Sequence, residues 1–70
     1  MIVVNAAMRG EEIVEHILAL PDMEISFIRK DGMKYLFASN NEQKDAAIIK
    51  ALLKQNQRFS TLYTSVMILP

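Results

Sequence analysis

The sequence predicts a single α+β domain over residues 1–70, folded as a two-layer sandwich. Asp31-Gly32 stands between two runs rich in β-branched and aromatic residues, Met23 to Lys30 and Met33 to Ala38. That dipeptide between such runs is the strongest short-range signal for a β-hairpin. A stretch with apolar residues at helical spacing lies on each side of the hairpin, and β-branched residues return near both ends of the chain.

In chain order, Ile2 to Val4 is a short β-branched run, apolar on both faces, and suits an interior strand. Asn5 is a candidate helix cap. From Met8 or Gly10 to Leu20 the pattern is helical. Ile13, Val14, Ile17 and Leu18 make one stripe, and Glu11 and Glu12 in the first turn complement the helix dipole. Pro21 stops this helix and Asp22 follows as a turn residue. In the hairpin, a two-residue loop at Asp31-Gly32 sets Ile28 opposite Tyr35 and Phe27 opposite Leu36. Alternation then sorts the side chains onto two faces. Ile25, Phe27, Leu36 and Ala38 form a compact apolar face assigned to the core, and Ile28, Met33, Tyr35 and Phe37 lie on the other, left open.

Ser39 to Glu42 fits a capping box. The helix it opens, from about Asn41 to Gln55, buries Ala47, Ile48, Ala51 and Leu52, widened by Ile49 and Leu53. Lys44, Asp45, Lys50 and Lys54 fall on its wet side. After the polar Asn56-Gln57-Arg58, Phe59 to Leu69 reads as a strand. Val66 to Leu69 is apolar throughout, which points to contacts on both sides.

Strand, helix, strand, strand, helix, strand with short connections favours a four-stranded antiparallel sheet carrying both helices on one face. This is the ferredoxin-like βαββαβ arrangement, with expected strand order 4-1-3-2. Without the first strand the alternative is αββαβ on a three-stranded sheet.

Composition narrows the function classes. A chain of 70 residues buries only roughly 60% of its unfolded surface, so stability is marginal without a staple. With no cysteine there is no disulfide or thiolate metal site, and the single His16 does not build a zinc site. Eight basic and eight acidic residues give zero net charge, which disfavours nucleic acid as a partner. No apolar run approaches the ~20 residues that span a bilayer, and the first residues lack the basic region and long apolar core of a signal peptide. A cytoplasmic location is the resulting expectation. An apolar fraction of 51% and a mean hydropathy of +0.14 leave more apolar surface than a small core hides, which points to a homodimer.

His16, with Glu12 and Glu15 nearby, is the one candidate general base, and neither a second His nor a serine elbow completes a site. The carboxylates are scattered, and Gly10 and Gly32 are too far apart to cradle a phosphate. No catalytic residue, metal or cofactor is expected, with a small hydrolase as a further alternative. The expected function is a protein-interaction module. Ile28, Met33, Tyr35 and Phe37, with Tyr63 and Met67 on the Phe59 side of the last strand, form its contact surface for a second copy or another protein, and a homodimer is expected to use this open sheet face or to pair edge to edge through the last strand. The alternative is RNA binding. Tyr35 and Phe37, two apart on an open strand, resemble the aromatics on which RNA-recognition domains of this topology stack bases, with Arg29, Lys30 and Lys34 at the adjoining turn. The segment Lys34 to Ser39 departs from the signature of those domains in lacking its glycine.

Overall fold

The computed structural model describes residues 1–21 and 23–70. Its elements are β1 (Ile2–Ala6), α1 (Gly10–Leu18), β2 (Ile25–Asp31), β3 (Lys34–Ser39), α2 (Glu42–Gln55) and β4 (Thr64–Ile68). Asp22, expected in a turn, lies outside the described residues. The strands form one antiparallel sheet in the order β2-β3-β1-β4, which read from the other edge is β4-β1-β3-β2. The first strand therefore forms, is longer than its β-branched run, and sits inside the sheet, which rules out the three-stranded alternative.

Both helices cover the same face. Ile2, Val4 and Ala6 of β1 and Tyr35 and Phe37 of β3 pack against Ile13 and Ile17 of α1, Ala46, Ile49 and Leu53 of α2, and Phe59. Phe37 is inaccessible and Tyr35 is 5% exposed, so the face expected to be open is the core. The cause is a β-bulge in β2, which follows a hairpin turn that is itself displaced. Asp31 pairs with Lys34, and the loop residues are Gly32 and Met33, one residue later than expected. Only Gly32, at φ 65°, has a positive φ in the loop. This fits a II′ turn, which needs the left-handed conformation only at its glycine, whereas a loop at Asp31-Gly32 would force Asp31 there too. That displacement moves the pairing by two residues and leaves each side chain on its face, but a β-bulge at Ile28, between the Phe27–Phe37 and Arg29–Leu36 pairs, changes the phase of β2. The bulge turns Phe27 onto the Phe37 side, where their rings meet edge to face at 5.4 Å. Burying two aromatic rings removes more apolar surface from water than burying Leu36 and Ala38 would.

Other expectations shift for local reasons. Helix α1 ends at Leu18, and Leu20 closes a tighter turn by donating to the Ile17 carbonyl, because Pro21 disfavours helical geometry in the residue before it. Its N-cap is Arg9, in the left-handed conformation at φ 58° without a side-chain cap. Asn5 is a strand residue whose side-chain amide donates to the Ser65 hydroxyl at 3.2 Å. Helix α2 is capped by Asn41, whose Oδ1 accepts from the Lys44 N–H at 3.3 Å, so the Ser39–Glu42 box does not form. Glu42 instead pairs with the Met1 amino group. The helix is rotated from its expected setting: Asp45, Ala46, Ile49 and Leu53 face inward, while Ala47 and Ala51 are exposed. Phe59 is not a strand residue. It lies buried in the turn after α2, edge to face with the His16 ring at 5.0 Å.

Two neighbouring residues test the α1 entry with opposite signs. A Cβ at Gly10 would overlap the Tyr35 ring, so Gly10→Ala should destabilise the fold by about 1–3 kcal/mol in urea unfolding. The loss should shrink in a Tyr35→Leu background, because the two residues share the contact. Arg9→Gly should stabilise the fold by roughly 0.5–1 kcal/mol, since it removes the left-handed penalty and only a weak exposed ion pair to Glu12 at 3.6 Å.

Candidate functional site

The strand registers fix what the helix-free face presents. Arg29, Leu36, Val3 and Met67 stand in one row across the sheet, with the bulged Ile28 beside Arg29. The next row toward the hairpin turn is polar: Asp31, Lys34, Asn5 and Ser65. Within the apolar row Val3 and Leu36 are already buried by their neighbours, while Ile28 and Met67 at its ends are about half exposed. This face is therefore a narrow apolar band ending at β4, where Met67 is joined by the exposed Leu69.

The two sheet edges differ sharply. The β2 edge carries Arg29, Lys30 and Asp31 and is interrupted by the bulge. Charges and bulges are the usual means of keeping an edge from pairing with another chain. The β4 edge has neither: its residues are Thr64, Ser65, Val66, Met67 and Ile68, and no charged side chain occurs between Phe59 and Pro70. Its open backbone groups can be assigned. The Met1 and Leu69 peptides exchange two bonds, Leu69 N–H to the Met1 carbonyl at 2.7 Å and Met1 nitrogen to the Leu69 carbonyl at 3.1 Å. Bonded and non-bonded pairs alternate along an antiparallel ladder, so with Ile2 opposite Ile68 the peptide groups of Ser65 and Met67 face β1. Those of Thr64, Val66 and Ile68 face away from the sheet. The bond from the Ala6 N–H to the Met33 carbonyl at 2.9 Å, on the far side of β1, has the same phase.

The residues expected to form the contact surface divide accordingly. Tyr63, immediately before β4, is 93% exposed, and Met67, Ile28 and Met33 are exposed. Tyr35 and Phe37 are removed from the surface, because they hold the helices to the sheet. The same burial removes the aromatic platform of the RNA-binding alternative. The basic residues do not converge either: Arg29 and Lys34 oppose outward-facing positions, whereas the Lys30 ammonium lies over the Tyr35 ring, 5.6 Å from its centroid. Sequence reasoning pointed to the last strand as a contact edge without identifying the Thr64, Val66 and Ile68 peptide groups. The uncharged stretch after Arg58 was the available signal.

Other polar groups hold the fold together, although the Asp45 Oδ1 is buried with no hydrogen-bond partner among the described residues. The His16 Nδ1 is 3.0 Å from the Glu12 carbonyl one turn earlier, and the Glu12 carboxylate meets the Arg58 guanidinium at 2.6 Å. Asp45 is buried, and one of its oxygens accepts from the Ser39 hydroxyl at 2.6 Å while that hydroxyl accepts from the Asn41 N–H at 3.0 Å. This chain of bonds joins the end of β3 to the first turn of α2. Among the described residues no group of three or more His, Cys, Asp or Glu could hold a metal ion, and no helix is long and apolar enough to cross a membrane. No family model, curated protein or solved structure matches the chain.

Ser39→Ala should lower stability by about 1–3 kcal/mol in denaturant titration, because it strips a buried carboxylate of its hydrogen bond. Ser39→Thr, which keeps the hydroxyl, should recover most of that loss if the bond is what matters.

Proposed function

We propose that this chain is a small non-enzymatic interaction module of ferredoxin-like βαββαβ fold, which associates with a second copy of itself through the β4 side of the sheet. The observation that carries this reading is the β4 edge. It leaves three residues' peptide groups unpaired, next to the exposed Tyr63, Met67 and Leu69, with no charge to keep another strand away. The ferredoxin-like assignment is supported by the strand order and by the two helices sharing one face.

A small domain has a further reason to associate. Its core is a single layer of side chains between one sheet face and two short helices, and the second sheet face has only side-chain cover. Covering apolar side chains at an interface recovers part of the burial that such a size denies. The half-exposed methionine at the end of the apolar row suits a contact surface, since its thioether adapts to irregular partners.

Light scattering behind a sizing column should give a mass of about 16 kDa, twice the 8.0 kDa of the chain, that persists over a wide dilution range. Met67→Lys, which sets a charge on the exposed side of β4, should raise the dimer dissociation constant by about tenfold or more without changing the circular dichroism. A chain that runs at 8.0 kDa at every concentration would sink the self-association reading.

A further inference from the structure

The phase of the open peptide groups reaches further than the statement that β4 is an interface, and the step below rests on the self-association reading. We propose that two copies join their β4 strands antiparallel about a two-fold axis at Val66, making one continuous eight-stranded sheet. In that register Val66 opposes Val66 of the second copy, and Thr64 opposes Ile68 in both directions. All three are the residues whose peptide groups face outward. Each copy donates three N–H groups to the other and accepts three in return, so no outward group within β4 is left over. Sliding the register by two residues one way moves Ile68 beyond the partner strand. Sliding it the other way sets Thr64 against Pro70, which has no N–H.

The side chains are compatible with the same axis. On the helix-free face Ser65 meets Met67 of the second copy, and one position further out Tyr63 meets Leu69. Tyr63, 93% exposed, thereby gains an apolar neighbour, and Leu69 gains the ring that covers it. A two-fold axis brings a strand against itself, so any charge on it faces an identical charge nearby. The absence of charged side chains from Phe59 to Pro70 meets that condition, and the β2 edge with Arg29 and Lys30 does not. This contrast selects a second copy as the occupant of the β4 edge. On the helix side, Lys50 and Lys54 line a groove with Thr64 and Val66.

The first test uses the unmodified chain. Amide exchange read by NMR should show Ser65, Met67 and Leu69 protected at low and high protein concentration alike. Thr64, Val66 and Ile68 should slow by about tenfold or more only at the higher concentration, where the second copy binds them. The second test uses cross-linking, for which a chain without cysteine is a clean background. Ser65→Cys and Met67→Cys, made separately and mixed, should form mixed disulfide dimers. Their positions form a non-hydrogen-bonded pair with Cα atoms about 4.5 Å apart, inside the range a disulfide spans. Either variant alone should cross-link far less. A stable dimer with uniform exchange along β4 and no preferred mixed disulfide would overturn this register and leave self-association standing on another surface. A chain that stays monomeric would overturn both.

Discussion

Gly32 holds its backbone at φ 65°, and the chirality of every other residue in the hairpin loop makes it the natural place for that conformation. Placing it first in a two-residue turn closes the loop with Asp31 opposite Lys34, two opposite charges at the end of the ladder. From there the pairing runs down β3 until the bulge at Ile28 brings Phe27 over Phe37. Tyr35 and Phe37 are thereby committed to one side of the sheet, and β1 follows them, with Val4 beside Tyr35 and Ile2 beside Phe37. The helices dock on that side because it holds the larger apolar surface. Gly10 completes the arrangement: its missing side chain leaves the space that the Tyr35 ring occupies at the start of α1.

The same register sorts the charges. Lys30 is drawn to the helix side over Tyr35, and Arg29, Asp31 and Lys34 are distributed along the outer positions of β2 and β3. The β2 edge is consequently charged and bent by its bulge, and the β4 edge inherits the uncharged end of the chain. One edge is defended and the other is open. That asymmetry is a property of the whole fold, since β4 pairs only with β1, and the phase of its free peptide groups is dictated by the bonds that β1 makes to β3.

Element order and spans were largely legible in the sequence. The β-branched run at Ile2, the stripe around Ile13 and Ile17 and the helix after Asn41 stand where periodicity and capping put them, and the hairpin forms with its loop one residue later than expected. Phase was less legible. Asp-Gly permits two loops one residue apart, and choosing the later one shifts the pairing by two residues while keeping each side chain on its face. The bulge at Ile28 is what carries Phe27 and Ile25 to the Phe37 side, so no single register describes β2. In α2, Ala46-Ala47-Ile48-Ile49 and Leu52-Leu53 offer two adjacent apolar stripes. The choice between them rests on Asp45, which reads as a solvent residue until Ser39 is seen to bond it. Phe59 was misplaced for a similar reason, because its burial is against His16, far away in sequence. Of the residues expected at the contact surface, Ile28, Met33, Tyr63 and Met67 are exposed, while Tyr35 and Phe37 are buried because the bulge, which no residue type announces, sets Phe27 on their side.

An open edge on a domain of this size has a thermodynamic meaning. The core is formed by one sheet face, and the other face offers only the short row from Ile28 to Met67, of which Val3 and Leu36 are already covered. Stacking a partner on that face would add little, because its central residues have almost no surface left to bury. Hydrogen bonds at the edge are a different resource. The peptide groups of Thr64, Val66 and Ile68 are bonded to water in the isolated chain, so each exchange for a partner's peptide group gains only about 0.5–1.5 kcal/mol. Their value in the proposed dimer is in direction: they would fix the angle and register at which Tyr63, Met67 and Leu69 meet their neighbours, and those apolar side chains would supply the affinity. In the proposed dimer the backbone of β4 would thus set the geometry of association, while the side chains on either side of it would determine the strength.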